Sequence, residues 1–316
     1  MTVANPDTPY HIPALLAETI DLLDIKPSGT YVDCTFGGGG HSRSILERLG
    51  PEGRLFGFDR DLDALNNAPD DERFTFVHGD FRFIRNYLDY YGVDRVDGIL
   101  ADLGVSFHHF DSPDRGFSFR AEGPLDMRMN RDGLTTAGTI VNTRSEAELK
   151  DLLKANTDLR NSANIARAIS SARRECEITT TTQLADIVRP LLSPKSLKKD
   201  LAQVFQALRI ATNDEMGSLE NLLANSLKVL KIKGRIAVLT YHSGEDRMVK
   251  DFFKNGSFNP EPDNEQLIYG RSRSPWKLIT GSPVVASESE VQNNPRSRSA
   301  KLRVAQLDNI PKADKR

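Results

Sequence analysis

The sequence predicts an α/β fold: a parallel sheet interrupted by a mainly helical insertion. Three observations carry this. Short β-branched runs alternate with helical apolar spacing through the first third of the chain; each of those runs delivers an acid at its end; and the alternation stops between about His109 and Arg209 before a strong strand restores it. At 316 residues and 38% hydrophobic content there is enough chain for one large domain or two ordinary ones, each with a core.

In chain order, Thr30-Tyr31-Val32 reads as a short buried strand. It runs into Asp33-Cys34-Thr35-Phe36 and four consecutive glycines, Gly37 to Gly40, followed by His41. Ser42 to Leu49 then has helical spacing. A second strand, Arg54 to Phe58, ends at Asp59; Phe74 to Val77 leads to Asp80; Val96 to Ala101 leads to Asp102. In a parallel sheet the C-terminal strand edge is where ligands bind, so Asp33, Asp59, Asp80 and Asp102 are expected to ring one crevice. Within the insertion, Glu146–Lys154, Ala163–Arg174 and Leu184–Leu192 read as helices. The sheet pattern resumes with a helix from Met216 to Leu230, a turn at Lys231-Ile232-Lys233-Gly234, and the strand Arg235–Thr240, whose edge carries Tyr241-His242-Ser243. Pro260 to Asn294, rich in Pro, Ser, Gly and Asn, reads as a long loop, and Ala300–Leu307 as a last, antiparallel strand. The economical division is a discontinuous domain over 1–108 and 212–316 with an inserted helical domain over 109–211.

An acid about 20 residues beyond a glycine turn accepts both hydroxyls of a ribose, which points to a nucleoside ligand. The dinucleotide fingerprint needs a third glycine where this chain has Ser42 or Arg43, and a phosphate-binding loop needs a lysine where it has His41. What remains is a nucleoside without a pyrophosphate, held by backbone amides around a small charged tail, which suits S-adenosylmethionine. Taken alone, the loop is also compatible with a glycine-rich surface turn of an unrelated α/β domain.

Composition sets the partners. No run of about 18 apolar residues and no basic-then-apolar start is present, so the expectation is a cytoplasmic protein with no membrane association. Cys34 and Cys176 are the two cysteines, without metal-ligand spacing, and Cys34 is expected to be buried beside the glycine loop. The net charge of -2 hides two basic segments. Arg160 to Arg209 holds nine Lys or Arg against four acids, and Arg271 to Arg316 ten against four, so the remainder is strongly acidic. A local basic patch suffices to hold a phosphate backbone; solvated helix faces and a basic tail are the plain alternative.

Several blocks together resemble the RsmH (MraW) family: DCTFGGGGHS at 33–42, FDRD at 58–61, DLGVS at 102–106, RGFSF at 115–119, GPLDMRM at 123–129, FQALRI at 205–210, HSGEDR at 242–247 and NPRSRSAKLR at 294–303. The resemblance spans about His11 to Leu307. It implies a Rossmann-like class I methyltransferase that uses S-adenosylmethionine to methylate N4 of a cytidine, position 1402, in 16S rRNA of the assembled small ribosomal subunit. It also implies that Gly39, Gly40 and His41 form the cofactor loop beside Asp33, that Asp59 is the ribose acid, that Phe81 lies on the adenine side, and that Asp102 lies next to the methionine part. Two positions depart. His109 stands where many members have glutamine, which retains one donor for the cofactor. Gly244 stands where leucine is usual, implying a looser turn after the fifth strand.

The chemistry narrows the catalytic candidates. Methyl transfer from a sulfonium is an in-line displacement, so alignment and exclusion of water dominate. Cytosine N4 has a delocalised lone pair and needs a group that hydrogen-bonds its N–H. Asp102, a nearby backbone carbonyl and His242 are the candidates, with Asp102 preferred and His242 kept as a proton acceptor. Fixing the cofactor amine is the plain role for Asp102; for His242 it is a bond to Asp246 or a backbone carbonyl. Neighbouring His108 and His109 diverge and lack a third ligand, so no metal is expected. Asp126, Arg128 and Arg131 are candidates for guiding a flipped base or phosphate, against a structural Asp126–Arg128 ion pair. Phe117, Phe119 and Trp276 are possible stacking surfaces, with Trp276 preferred, and Arg271, Arg273, Arg296 and Arg298 are candidate phosphate contacts. Exposed apolar residues on the insertion are compatible with a homodimer. A non-catalytic RNA-binding assembly factor, and DNA N-methylation as a side activity, are the rival functions.

Overall fold

The computed structural model describes residues 13–104, 112–258 and 274–309. The chain divides into two compact units, Met1–Gly104 with Ser218–Arg316, and Val105–Gly217. In the first unit, β1 (Thr30–Asp33), β2 (Arg54–Asp59), β3 (Phe74–His78), β4 (Val96–Asp102) and β5 (Leu230–Thr240) run parallel. β6 (Trp276–Leu278), β7 (Val284–Val285) and β8 (Lys301–Leu307) complete the sheet, with β8 antiparallel to β5, β6 and β7. The order is β3-β2-β1-β4-β5-β8-β6, with β7 paired to β8 off that path. From β1 the chain winds first towards β3, then crosses to β4 on the other side. This reversal opens a crevice at the carboxyl ends of β1 and β4.

Both faces of the sheet are covered, which is why its strands read as nearly continuous apolar runs. Successive residues alternate between two cores: Val32, Phe56, Ile99 and Val238 lie in one, Tyr31, Leu55, Leu100 and Leu239 in the other. Helices α1 (Leu16–Leu23) and α2 (Gly40–Arg48) contribute to the second, while α3 (Ile84–Tyr90) and residues 219–229 of the helix Glu215–Val229 contribute to the first.

The second unit has its own core, built by α4 (Ala137–Thr143), α5 (Glu146–Asn156), α6 (Ser162–Glu175), α7 (Thr181–Val188) and α8 (Leu197–Asn213). Leu149, Leu152 and Leu153 of α5 join Ile165 and Ile169 of α6 and Leu201, Phe205 and Leu208 of α8. Thr136, Ser145 and Thr180 start α4, α5 and α7 with capping boxes, each satisfying otherwise orphaned N–H groups. The helix Glu215–Val229 is α9, and α10 (Ser243–Asn255) and α11 (Glu288–Asn293) follow.

Three sequence expectations are corrected. The turn at 231–234 lies inside β5: the ladder passes from Val96↔Leu230 to Gly98↔Arg235, so the extra residues bulge rather than end the strand, with Lys233 at φ 68°. In the stretch expected to be one long loop, residues 276–278, 284–285 and 288–293 form β6, β7 and α11. Their length defeats a periodicity test. Helices α1 and α8, which start without a side-chain capping bond, and α4, seven residues long, add to the helices expected.

Candidate cofactor and catalytic site

The glycine turn is built from its carboxylate outward. Asp33, at the end of β1, is 1% exposed. Its Oδ1 accepts the Thr35 N–H at 3.1 Å and its Oδ2 accepts the Ser42 hydroxyl at 2.7 Å, tying the two ends of the loop together. Burial raises its pKa, against the pull of His41 and these hydrogen bonds. Gly37 and Gly39 have φ of 50° and 72°, the left-handed region, and a Cβ on Gly39 would stand 3.0 Å from the Phe36 ring and the Arg43 guanidinium. The Gly37 carbonyl accepts from Asn67 Nδ2 at 3.0 Å and the Gly38 carbonyl from Arg43. A Cβ on Gly38 would meet nothing within 4 Å, so the loop has an open side there. Helix α2 begins at Gly40, where first-turn N–H groups have no intrahelical acceptor.

Asp59 closes β2 beside this loop. Its Oδ2 accepts the Gly37 N–H and its Oδ1 the Asp61 N–H, both at 2.8 Å, so the carboxylate is oriented from two sides. Asp80 follows β3, and its Oδ2 is paired with Arg60 at 2.9 Å and Arg82 at 2.6 Å. Of the four acids that end strands, Asp80 is thus neutralised by two guanidiniums. Phe81 is buried, with the Arg60 guanidinium 5.4 Å from its ring centre.

The fourth acid has a different environment. The Asp102 main-chain N–H donates to Thr35 Oγ1 at 2.7 Å, which locks the end of β4 to the start of the glycine turn. Its side-chain Oδ1 accepts the Tyr241 hydroxyl at 2.8 Å, and Oδ2 lies 3.8 Å from His41 Nδ1. Burial pushes the Asp102 carboxyl up to about 6; the Tyr241 and Gly104 hydrogen bonds lower it, and Glu245 raises it further. His41 is itself buried, and burial pushes its imidazole down to about 4 in spite of Asp33, so it is neutral near pH 7. Burial, then the neighbouring Asp102, hold the Tyr241 phenol far above its ordinary value, so it remains a donor.

His242 is the N-cap of α10. Its Nδ1 accepts the Glu245 N–H at 3.4 Å, and its Nε2 lies 3.1 Å from Glu245 Oε1. Glu245, 3% exposed, accepts the main-chain N–H of Tyr241 at 2.8 Å and of His242 at 3.3 Å. The partner of His242 is therefore Glu245 rather than Asp246, which pairs with Arg303 at 2.7 Å and Lys301 at 3.3 Å. Nor does Gly244 leave the turn loose: this capping box closes it.

Among the residues expected to meet substrate, Asp126 and Arg128 form a two-pronged ion pair at 2.8 and 2.7 Å, the structural alternative. Arg128 also donates to the Arg131 and Gly133 carbonyls. Exposed Arg131 lies 3.4 Å from Asp114. Phe117 is buried, and Phe119 packs on Phe205, so both serve the helical core. Trp276 corrects an expectation. It is 6% exposed against Phe252 and Phe253, because pairing of β6 with β8 turns it into the sheet core, and it offers no stacking surface. Arg296 and Arg298 are exposed on the turn Pro295–Ser299 before β8. Since Lys301 pairs with Thr240, that turn lies at the same sheet edge as Asp102. His109, Arg271 and Arg273 lie outside the described residues.

Tyr241 and Glu245 are the site residues that the sequence left unassigned. Tyr241 was visible at the end of the strongest strand. Its partner follows only from the register Asp102↔Leu239, which no local pattern encodes.

Known proteins resemble this chain along nearly its whole length. Ribosomal RNA small subunit methyltransferase H of Parabacteroides distasonis is 51% identical over 301 residues, covering 95% of this chain and 98% of its own length. The protein of the same name from Porphyromonas gingivalis is 49% identical over 309 residues, covering 97% and 99%. A solved rRNA methylase from Streptococcus thermophilus aligns over 97% of this chain and 100% of its own, with a TM-score of 0.40 and 10% identity, a likeness from which nothing about chemistry follows. The model of the MraW methylase family matches residues 8–308, from before α1 to beyond β8, and the chain belongs to that family.

Proposed function

We propose that this protein transfers a methyl group from S-adenosylmethionine to N4 of a cytidine in small-subunit ribosomal RNA. The observation that carries the reading is the Asp102 carboxylate: it stands at the end of β4, locked to the glycine turn of β1, with one oxygen held by Tyr241. Relatives that are about half identical along nearly their whole length are named as methyltransferases of the small ribosomal subunit RNA, which supports the substrate class.

The residues present fit the cofactor. Asp59 is oriented at the end of β2 to accept ribose hydroxyls, Phe81 supplies an apolar surface after β3, and the open side of Gly38 admits a ligand against backbone. Gly39, Gly40 and His41 would hold the charged tail at the start of α2. When bound, S-adenosylmethionine supplies a methyl group on a sulfonium, and the electron pair of the broken C–S bond leaves with sulfur.

The chain's own task is alignment and proton handling. The N4 lone pair forms the new N–C bond, and N4 must release one proton. Asp102 is the acceptor: a hydrogen bond from N4–H to Oδ2 draws the nitrogen towards tetrahedral geometry, and the proton passes to that oxygen and then to water. Its raised pKa suits it to take up a proton near neutrality. His242 caps α10 through Nδ1 and its Nε2 lies beside Glu245, whose carboxylate holds the Tyr241 main chain, so we assign it a part in positioning Tyr241 rather than proton transfer. Arg296 and Arg298 are assigned to RNA phosphates.

Labelled-methyl transfer to small subunits lacking the modification, beside naked ribosomal RNA and DNA, with mass spectrometry of the nucleosides, tests the reading. N4-methylcytidine in the RNA is the expected product. A methyl group on another atom, or no transfer to any substrate despite cofactor binding, refutes it; the second result leaves an RNA-binding assembly factor.

A further inference from the structure

We propose that Tyr241 is a positioning residue for methyl transfer, its hydroxyl holding one oxygen of the Asp102 carboxylate so that the other faces the amino group to be methylated. The inference rests on the assignment of Asp102 as the acceptor-side carboxylate.

The two oxygens of Asp102 are treated differently by the fold. Oδ1 accepts the Tyr241 hydroxyl at 2.8 Å and the Gly104 N–H at 3.4 Å, whereas among the described residues Oδ2 has His41 Nδ1, at 3.8 Å, as its polar neighbour. That last separation is too long for a hydrogen bond, so Oδ2 keeps its accepting capacity. The phenol can reach Oδ1 because its ring lies against backbone: a Cβ on Gly104 would stand 2.9 Å from the Tyr241 ring. Its own main chain is fixed by Glu245 Oε2, which accepts the Tyr241 N–H at 2.8 Å. Hydroxyl, ring and backbone are each constrained.

The charges around the pair give the phenol a second task. Facing Asp102 are His41 from α2, Glu245 from α10 and, through the glycine turn, Asp33 from β1; facing the phenol are Glu245 and Glu290 of α11. His41 is neutral, the others are acids, and among the described residues no lysine or arginine pairs with Asp102. A neutral hydrogen-bond donor is thus what the fold supplies to favour the ionised carboxylate.

The test is the pH dependence of methyl transfer to unmodified small subunits for the wild type, Tyr241→Phe, and Tyr241→3-fluorotyrosine, a phenol of similar size that donates more strongly. In the wild type kcat should rise through about pH 6, the point to which burial pushes Asp102. Removing the hydroxyl should move this limb up by about one pH unit, lowering kcat about fivefold at about pH 6 and little at about pH 8.5. Fluorination should move it down. Cofactor affinity, measured by calorimetry, should be unchanged in both. A limb that stays in place in a folded, cofactor-binding Phe variant overturns the inference, and if that variant does not fold, an unmoved limb in the fluorinated enzyme does so. Wild-type enzyme that transfers no methyl, or transfers it without an acid limb, instead removes the Asp102 reading beneath it.

Discussion

Asp102 carries opposed demands, and its stability contribution shows them. Burial raises its folded pKa to about 6 from an ordinary carboxylate value, so the folded state favours the protonated form. The associated stability is fully present below the unfolded pKa and is lost as pH rises through about 6. At pH 8 the buried charge then costs up to about 3 kcal/mol, and Asp102→Asn is expected to raise the urea midpoint there, to leave it unchanged near pH 4, and to abolish turnover. Equal midpoints at both pH values would show that burial does not penalise the charge. For Asp59→Ala the loss should fall on binding: the carboxylate is oriented by two N–H groups at the end of β2 beside the glycine turn, so calorimetry should show at least about tenfold weaker cofactor affinity with the fold retained. Unchanged affinity counts against the ribose role. Both acids were legible in the sequence because each is a local event, a strand running into a turn. Tyr241 and Glu245 were not, because their partnerships exist only once β5 has paired with β4 and α10 has capped on β5.

At the level of elements, the strands were readable wherever burial on both faces made them continuous apolar runs, and unreadable where they were short. β6 is three residues long, and its sequence, Trp276-Lys277-Leu278, carries one buried side chain and two exposed ones. Flanking polar residues made Trp276 look like a surface aromatic. Only the antiparallel pairing Trp276↔Leu307 turns it inward, onto Phe252 and Phe253 of α10. The expected consequence is a stability effect: Trp276→Ala should cost about 3–5 kcal/mol, read from urea denaturation, while RNA affinity at a temperature where the variant is folded stays at the wild-type value. A loss of RNA affinity without loss of stability would return Trp276 to the binding surface. The same logic explains the inserted unit. Its capped helices α5 and α7 announce themselves through Ser145 with Glu148 and Thr180 with Gln183, whereas α8 starts without a capping bond and is defined by the buried stripe Leu201, Val204, Phe205, Leu208.

At the scale of the whole molecule, a net charge of -2 would argue against a polyanionic partner if charge were spread evenly. It is not: the segment Arg271 to Arg316 carries ten Lys or Arg against four acids. Within it Arg303 and Lys301 pair with Asp246, and Arg296 and Arg298 are exposed on either side of buried Ser297, whose hydroxyl donates to the Asn294 carbonyl at 2.8 Å and anchors the turn. Antiparallel pairing of β8 with β5 carries that turn to the carboxyl edge of the parallel strands, where Asp102 stands. Replacing Arg296 and Arg298 together by alanine should therefore weaken RNA binding at low salt and reduce the slope of log affinity against log salt by about 1.5 to 2, since two phosphate contacts release their counterions no longer. Lys301→Ala, whose ammonium already faces a carboxylate, should change the slope by much less. Filter binding over a salt series separates the two outcomes: equal slopes for wild type and the double variant would assign the RNA contacts to other residues, and an equal loss from Lys301→Ala would mean that net charge rather than the placement of Arg296 and Arg298 governs the affinity.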